Sequence, residues 1–259
     1  MSIALRSGGG RHDGRETARG ACLVVGAGDG LGAAIARGFA REGLTVCVTR
    51  RPRHLEKVEA LARTIREAGG AALAFGLDAR VEAEVVELVE RIEREVGPLE
   101  VVVFNIGANV RFPVIETTTQ VYSKVWEMAC LAGFLTGREA ARAMAPRGRG
   151  TILFTGATAS LRGGALYSAF AGAKHGLRAL AQSLAREMGP KGVHVAHVVI
   201  DGMIEGEFIR ANVPDFEARL ARDEILRPDE IARNYVWLHG QARSAWTFEL
   251  DLRPWAEKW

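Results

Sequence analysis

From Ala21 onward the chain alternates two kinds of apolar pattern. Residues 22–25 form a short unbroken apolar run that ends in glycines, as a strand buried on both faces should. Leu31, Ile35 and Phe39 recur at helical spacing and predict a helix over 31–42, closed by Gly43. The apolar and β-branched run 45–49 predicts a second strand. Leu55, Val58, Leu61, Ala62 and Ile65 then predict a helix over 54–68, closed by Gly69 and Gly70. The alternation continues with a strand at 71–77, a helix at 81–96 stopped by Gly97 and Pro98, and a strand at 100–104. A longer helical stretch runs from about 120 to 144 and breaks at Pro146. A strand at 151–155, a helix at 167–188 stopped by Gly189 and Pro190, and a strand at 193–200 follow. Residues 228–239 read as helix and 247–252 as a last strand. This order predicts an α/β fold: a single-domain, Rossmann-type, doubly wound parallel sheet with helices on both faces.

Residues 1–19 stand apart, with Gly8, Gly9, Gly10 and four arginines but almost no apolar periodicity. They cannot bury enough surface to order themselves, so a disordered N-terminal extension is expected, leaving 20–259 as the folded domain. Asp13, Glu16 and the lack of an apolar core argue against an arginine-rich targeting segment. Over the 259 residues, 48% hydrophobic and 25% charged are globular values. The net charge of +3 is too small for a dedicated nucleic-acid binder. No apolar run approaches the roughly 20 residues that span a bilayer. Cys22, Cys47 and Cys130 are an odd, widely spaced set, which points away from a disulfide framework and toward a reducing, cytoplasmic setting. The expected partner is a small molecule, not nucleic acid or membrane.

The first candidate chemistry lies after the first strand, where Gly26-Ala27-Gly28-Asp29-Gly30-Leu31-Gly32 opens a helix. Glycines there let backbone amides approach a pyrophosphate at the helix N-terminus. The spacing is G-x-x-x-G-x-G rather than G-x-G-x-x-G. The plainer reading is a turn that only lets helix pack on strand. Downstream, the second strand ends in Thr49-Arg50-Arg51, with Arg53 close by and no carboxylate. An acidic residue at that place selects the ribose hydroxyl of NAD, whereas a guanidinium pairs with a 2′-phosphate. NADP(H) is therefore favoured over a merely solvated loop. Asp29 pulls the other way and keeps NAD(H) open.

With these features the chain from Ala21 onward resembles the short-chain dehydrogenases/reductases. Further motifs carry the resemblance. Asp78-Ala79 is similar to the family's adenine-contacting Asp, and Phe104-Asn105-Ile106-Gly107 to its Asn-Asn-Ala-Gly. Asp201-Gly202 stands where the family usually has Pro-Gly beside the nicotinamide, and residues 227–232 look like its late helix start. The resemblance implies a cofactor site of Gly26, Gly28, Asp29, Gly30, Leu31, Arg50, Arg51, Asp78, Ala79, Asn105, Gly107, Lys174, Asp201 and Gly202. It also implies a homodimer or homotetramer, for which Ala132, Gly133, Ala140, Ala173 and Ala181 would allow close helix approach.

The chain departs from the family at the reacting centre. The family carries Tyr-x-x-x-Lys, a Ser thirteen residues before the Tyr, and an Asn on the preceding long helix. Lys174 is present, but Phe170, Ala157 and Cys130 stand at the other three places. Phe170 has no proton to give and Ala157 cannot hold an oxyanion, losses worth about 10²–10⁴ and 10²–10³ in rate. The catalytic candidates are Lys174 with Tyr167 or Thr158 as replacement donors. Ser160, His175 and water are further sources. No metal site is expected, since His194 and His197, three apart on a strand, face opposite sides. Cys130 reads as a small buried residue more than as a reactive thiol. Trp246, Phe248, Trp255 and Trp259 could cover the cleft, meet a neighbouring subunit, or pack in the core. The expected function is an atypical NADP(H)-dependent oxidoreductase of the carbonyl reductase or alcohol dehydrogenase type. The alternative is a nucleotide-binding protein of the same fold without redox turnover, a sensor or partner subunit.

Overall fold

Apolar runs bounded by glycines become the centre of a parallel sheet, because only strands covered on both faces can bury every side chain. β1 (Ala21–Val25), β4 (Leu99–Phe104) and β5 (Thr151–Thr155) are buried almost throughout. β2 (Thr45–Arg50), β3 (Ala71–Gly76), β6 (His194–Ile200) and β7 (Glu249–Leu252) complete a seven-stranded sheet in the order β3-β2-β1-β4-β5-β6-β7. All neighbours pair in parallel. This is the doubly wound Rossmann-type arrangement expected from the sequence. The computed structural model describes residues 20–258, and the extension expected over residues 1–19 lies outside the described residues.

The helices are α1 (Leu31–Arg41), α2 (Leu55–Glu67), α3 (Glu82–Glu95), α4 (Thr119–Trp126), α5 (Ala132–Met144), α6 (Ser168–Met188), α7 (Glu207–Asn212), α8 (Phe216–Ala221) and α9 (Pro228–His239). α1, α2 and α9 bury Ile35, Phe39, Val58, Ile231 and Leu238 against one face of the sheet. α3, α5 and α6 bury Val85, Ile92, Leu135, Met144 and Leu177 against the other. β1 serves both sides: Leu23 and Val25 face one core, Cys22 and Val24 the other. Among the described residues no helix is long and apolar enough to cross a membrane. Cys22, Cys47 and Cys130 are free and buried.

The structure differs from the pattern reading in two places. The stretch expected as one helix over 120–144 is interrupted by a five-residue π turn, Glu127–Leu131, between α4 and α5. A π turn widens the helix by one residue per turn, and such insertions often mark functional sites. α6 passes close over it: a Cβ at Gly176 would lie 2.8 Å from Trp126 and 2.9 Å from Cys130 Sγ. The second difference is α7 and α8, six residues each, too short to show a helical period.

Candidate functional site

The crevice opens at the C-terminal edge of β1 and β4, where the strand order reverses and an open α/β sheet presents its ligand site. Gly26 turns the chain at φ +92, a conformation that favours glycine. The amides of Gly26 and Ala27 both donate to Thr49 O, and Asn105 Nδ2 donates to Gly26 O at 3.1 Å. The Asn105 side chain therefore holds the glycine turn in place. Gly32 is required by packing, since a Cβ there would sit 2.5 Å from Gly26 O. Gly28 and Gly107 are different: both line the cleft, of about 210 Å³, and a Cβ on either would meet nothing within 4 Å. Their smoothness serves something other than the protein's own packing. Gly30 caps α1 without a side-chain bond and the first turn carries no acidic residue. Ala33 N and Ala34 N already donate to Gly28 O and Gly30 O, while the amides of Leu31 and Gly32 at the helix start have no intrahelical acceptor and present a partial positive charge.

At one end of the cleft stand Arg50, Arg51, His54, Asp78, Ala79 and Arg80. Asp29 is compensated from two sides, by Lys57 Nζ at 3.2 Å and Arg50 Nη1 at 3.8 Å. Arg80 grips Asp78 with two parallel bonds of 2.9 and 2.6 Å, which hold its carboxyl below the usual range. Arg51 has no carboxylate within ion-pair distance among the described residues. Partial burial and the neighbouring Arg53 and Arg80 lower its pKa. His54 is lowered by partial desolvation and then by Arg50, Arg53 and Arg51. An excess of cations, with Arg51 in no ion pair and Asp78 attracting it only from beyond that distance, suits a dianionic group.

At the other end, α6 delivers Lys174 into the sheet edge. Its Nζ donates to Thr155 O at 2.9 Å and Ile106 O at 3.1 Å, and burial lowers its pKa to about 8. Phe170, one turn earlier, has its ring centroid 5.9 Å from Nζ and packs with Val125, Ala129, Cys130 and Ala157. The Tyr167 ring lies 6.4 Å from that of Phe170, and its hydroxyl makes no hydrogen bond among the described residues. Thr158 Oγ1 donates to the Asp201 carboxylate, which is buried. The other Asp201 oxygen is 3.5 Å from both Arg162 Nη2 and Arg253 Nη1. Asp201 is thus engaged in an ionic cluster, and Gly202 at φ +155 turns the chain beside Pro254.

The structure brings Lys174, Phe170 and Tyr167 onto one side of α6. Ser160 is buried, with its Oγ accepting from Ala157 N at 3.1 Å. His175 bonds Ala171 O within its own helix. His194 stacks on Trp246 and its Nε2 donates to Thr247 O, while His197 Nδ1 faces Glu249 at 3.1 Å. Phe248 packs against the core, and Trp255 is exposed. Sequence reasoning missed Arg80, Arg162 and Arg253. Arg80, two residues after Asp78, was within reach of a local reading; the other two meet Asp201 only through the fold.

A family model described as short chain dehydrogenase matches residues 21–215. A cis-4-hydroxycyclohexanecarboxylate dehydrogenase of Sinomonas cyclohexanicum is 30% identical over 227 residues, covering 86% of this chain and 90% of that protein. Among solved structures, a short-chain dehydrogenase from Rhodopseudomonas palustris is 49% identical, with a TM-score of 0.77, covering 91% of this chain and 99% of that one. An actinorhodin polyketide ketoreductase variant with NADPH is 26% identical, with a TM-score of 0.82, covering 91% of this chain and 96% of that one.

Proposed function

This chain belongs to the short-chain dehydrogenase family, and we propose that it is an NADP(H)-dependent oxidoreductase of the carbonyl reductase or alcohol dehydrogenase type with an atypical reacting centre, acting on a small organic substrate. The observation that carries this reading is Arg51, in no ion pair among the described residues, at one end of a cleft whose floor, at Gly28 and Gly107, is bare of side chains. The residues fit the dinucleotide. Gly26, Gly28, Gly30, Leu31 and Gly107 would let backbone approach the pyrophosphate, and Arg51, with Arg50 beside it, would take the 2′-phosphate. Asp78 and Ala79 would flank the adenine. When bound, the nicotinamide supplies hydride to, or takes it from, a substrate carbon.

The chain's own residues do the rest. Lys174, with two of its three N–H groups given to carbonyls, keeps one donor for a ribose hydroxyl. Tyr167 holds a proton at a hydroxyl that no group among the described residues claims, and is the proposed proton donor in place of Phe170. Thr158 gives its proton to Asp201, so its oxygen can only accept; it orients a substrate hydroxyl rather than protonating a carbonyl. Phe170 and Ala157 close the centre against water.

A second reading, a nucleotide-binding sensor or partner subunit without turnover, draws on Phe170, Ala157 and Cys130 standing where the family has Tyr, Ser and Asn. Titration with NADPH followed by a panel of ketones and aldehydes separates the two. Oxidation of NADPH by at least one carbonyl is expected, and Tyr167→Phe should lower kcat by about 10²-fold or more while keeping NADPH affinity. Tight NADPH binding without oxidation by any carbonyl would favour the second reading. The protein is further proposed to be a homodimer or homotetramer: Trp126, Leu131 and Phe134 leave apolar surface exposed from α4 through the π turn to α5, whereas Ala132, Gly133, Ala140, Ala173 and Ala181, expected to allow helix approach between subunits, are buried in the chain's own core.

A further inference from the structure

Arg111 lies in the loop after β4, exposed, with its guanidinium 5.5 Å from the centroid of the Tyr167 ring. Among the described residues no carboxylate lies within ion-pair distance of it, although most arginines of this chain are paired. From the buried ammonium outward, Lys174 Nζ, the Phe170 ring, the Tyr167 ring and the Arg111 guanidinium follow one another at 5.9, 6.4 and 5.5 Å. The result is an aromatic wall with the candidate reacting centre at one end and a cation at the other. Ala108, Val110 and Val121 pack into the same apolar cluster.

The wall is held rather than loose. Phe112 N donates to Leu166 O at 2.9 Å, which joins the loop after β4 to the loop before α6. Ala108 at φ 65 and Leu166 at φ 73 adopt left-handed backbone without being glycine. Such strain persists only where the surroundings fix it, and it gathers at ligand sites. Phe112 and Leu166 are each 40% exposed beside the wall, so apolar surface there faces water until something covers it.

We propose that the substrate is a carboxylic acid with a flat apolar body, whose ring lies against the half-buried Tyr167, with Phe170 buried behind it, and whose carboxylate pairs with Arg111. A guanidinium stacked on a ring keeps its in-plane N–H groups free, and that fork matches a carboxylate. A phosphate monoester is the poorer match, because a dianion gathers several cations, as the cluster around Arg51 would, and Arg111 stands alone. Arg162, in the loop before α6, is already turned to Asp201. The inference rests on the cleft being the oxidoreductase site proposed above.

The test compares benzoylpropionate with its methyl ester in the full chain with NADPH. A charge-assisted pair predicts kcat/KM for the acid about 10–100-fold above that for the ester. Arg111→Gln should collapse that ratio to near one, chiefly by raising KM for the acid, and Arg111→Lys should restore part of it. An acid-to-ester ratio near one in the native protein, or a ratio unchanged in Arg111→Gln, overturns the proposal. If neither compound is turned over, the oxidoreductase reading is decided by the wider carbonyl panel, and the carboxylate site by calorimetry with benzoylpropionate. Tighter binding of the acid than the ester, lost in Arg111→Gln, supports the carboxylate site; equal affinities or no binding overturn it.

Discussion

Lys174 Nζ donates to the carbonyl of Thr155 at 2.9 Å, so a buried ammonium pins α6 to the end of β5. Burial brings its pKa from 10.5 to about 8. Between those values the unfolded chain holds a proton that the folded chain has released. Stability therefore rises with pH across that window, by about 1.4 kcal/mol per unit, and the contribution is least favourable below it. Lys174→Met should remove this slope from the ligand-free protein. Urea unfolding of both proteins across the window measures it.

Arg51→Ala should weaken NADPH binding by about 10–100-fold, the value of a charge-assisted pair, with little change for NADH. Arg50→Ala should cost less, because Arg50 already leans on Asp29 at 3.8 Å. Calorimetry on the two variants checks the order. Equal affinity of the native protein for NADPH and NADH would contradict the 2′-phosphate assignment.

Gly107→Ala places its Cβ in open space. The variant should unfold within about 0.5 kcal/mol of the native protein, as a surface change does, yet bind NADPH at least about 10-fold more weakly. Gly32→Ala is the contrast, since its Cβ would strike Gly26 O. About 1–3 kcal/mol of stability should be lost there. Thermal melts with and without NADPH separate the two effects.

Phe170→Tyr puts a phenol one turn from Lys174, and Ala157→Ser adds a hydroxyl nearby. If the centre lacks an acid at that place, the double variant should exceed either single one, with about 1–3 kcal/mol less barrier. Steady-state rates on one carbonyl substrate test this. A double variant no faster than the native protein would agree with Tyr167 as the proton donor, the new groups adding nothing or obstructing it, whereas the full gain would count against Tyr167.

The sheet was legible because Leu23, Val25, Val102 and Phe104 sit in uninterrupted apolar runs between glycines. α1, α2 and α3 were legible because one apolar face repeats over more than ten residues. The π turn at Glu127–Leu131 left no trace in the pattern, since one added residue per turn shifts the apolar positions by less than periodicity resolves. At the site, the glycine turn and the arginines after β2 announced themselves by position. The bond from Thr158 to Asp201 did not, because it joins residues 43 apart through the ends of different strands. The stack of Arg111 on Tyr167 is hidden for the same reason: loops are brought together by the sheet beneath them, and their own sequences carry no record of it.

The pairing of β1 with β4, Val25 opposite Phe104, has a consequence for how the chain reaches its native state. Three helical connections, through α1, α2 and α3, lie between these strands in the chain, and contacts so distant in sequence form late and slowly. The crevice lies on that seam. Gly26 and Asn105, which touch across it, belong to halves that could each collapse on their own faces without ever making the cleft. A dinucleotide held there would bind the joined chain and not the separate halves, and so would draw the equilibrium toward assembly by mass action. The ligand would act as the last fastener of the fold, and a chain starved of it would lose that part of its stability.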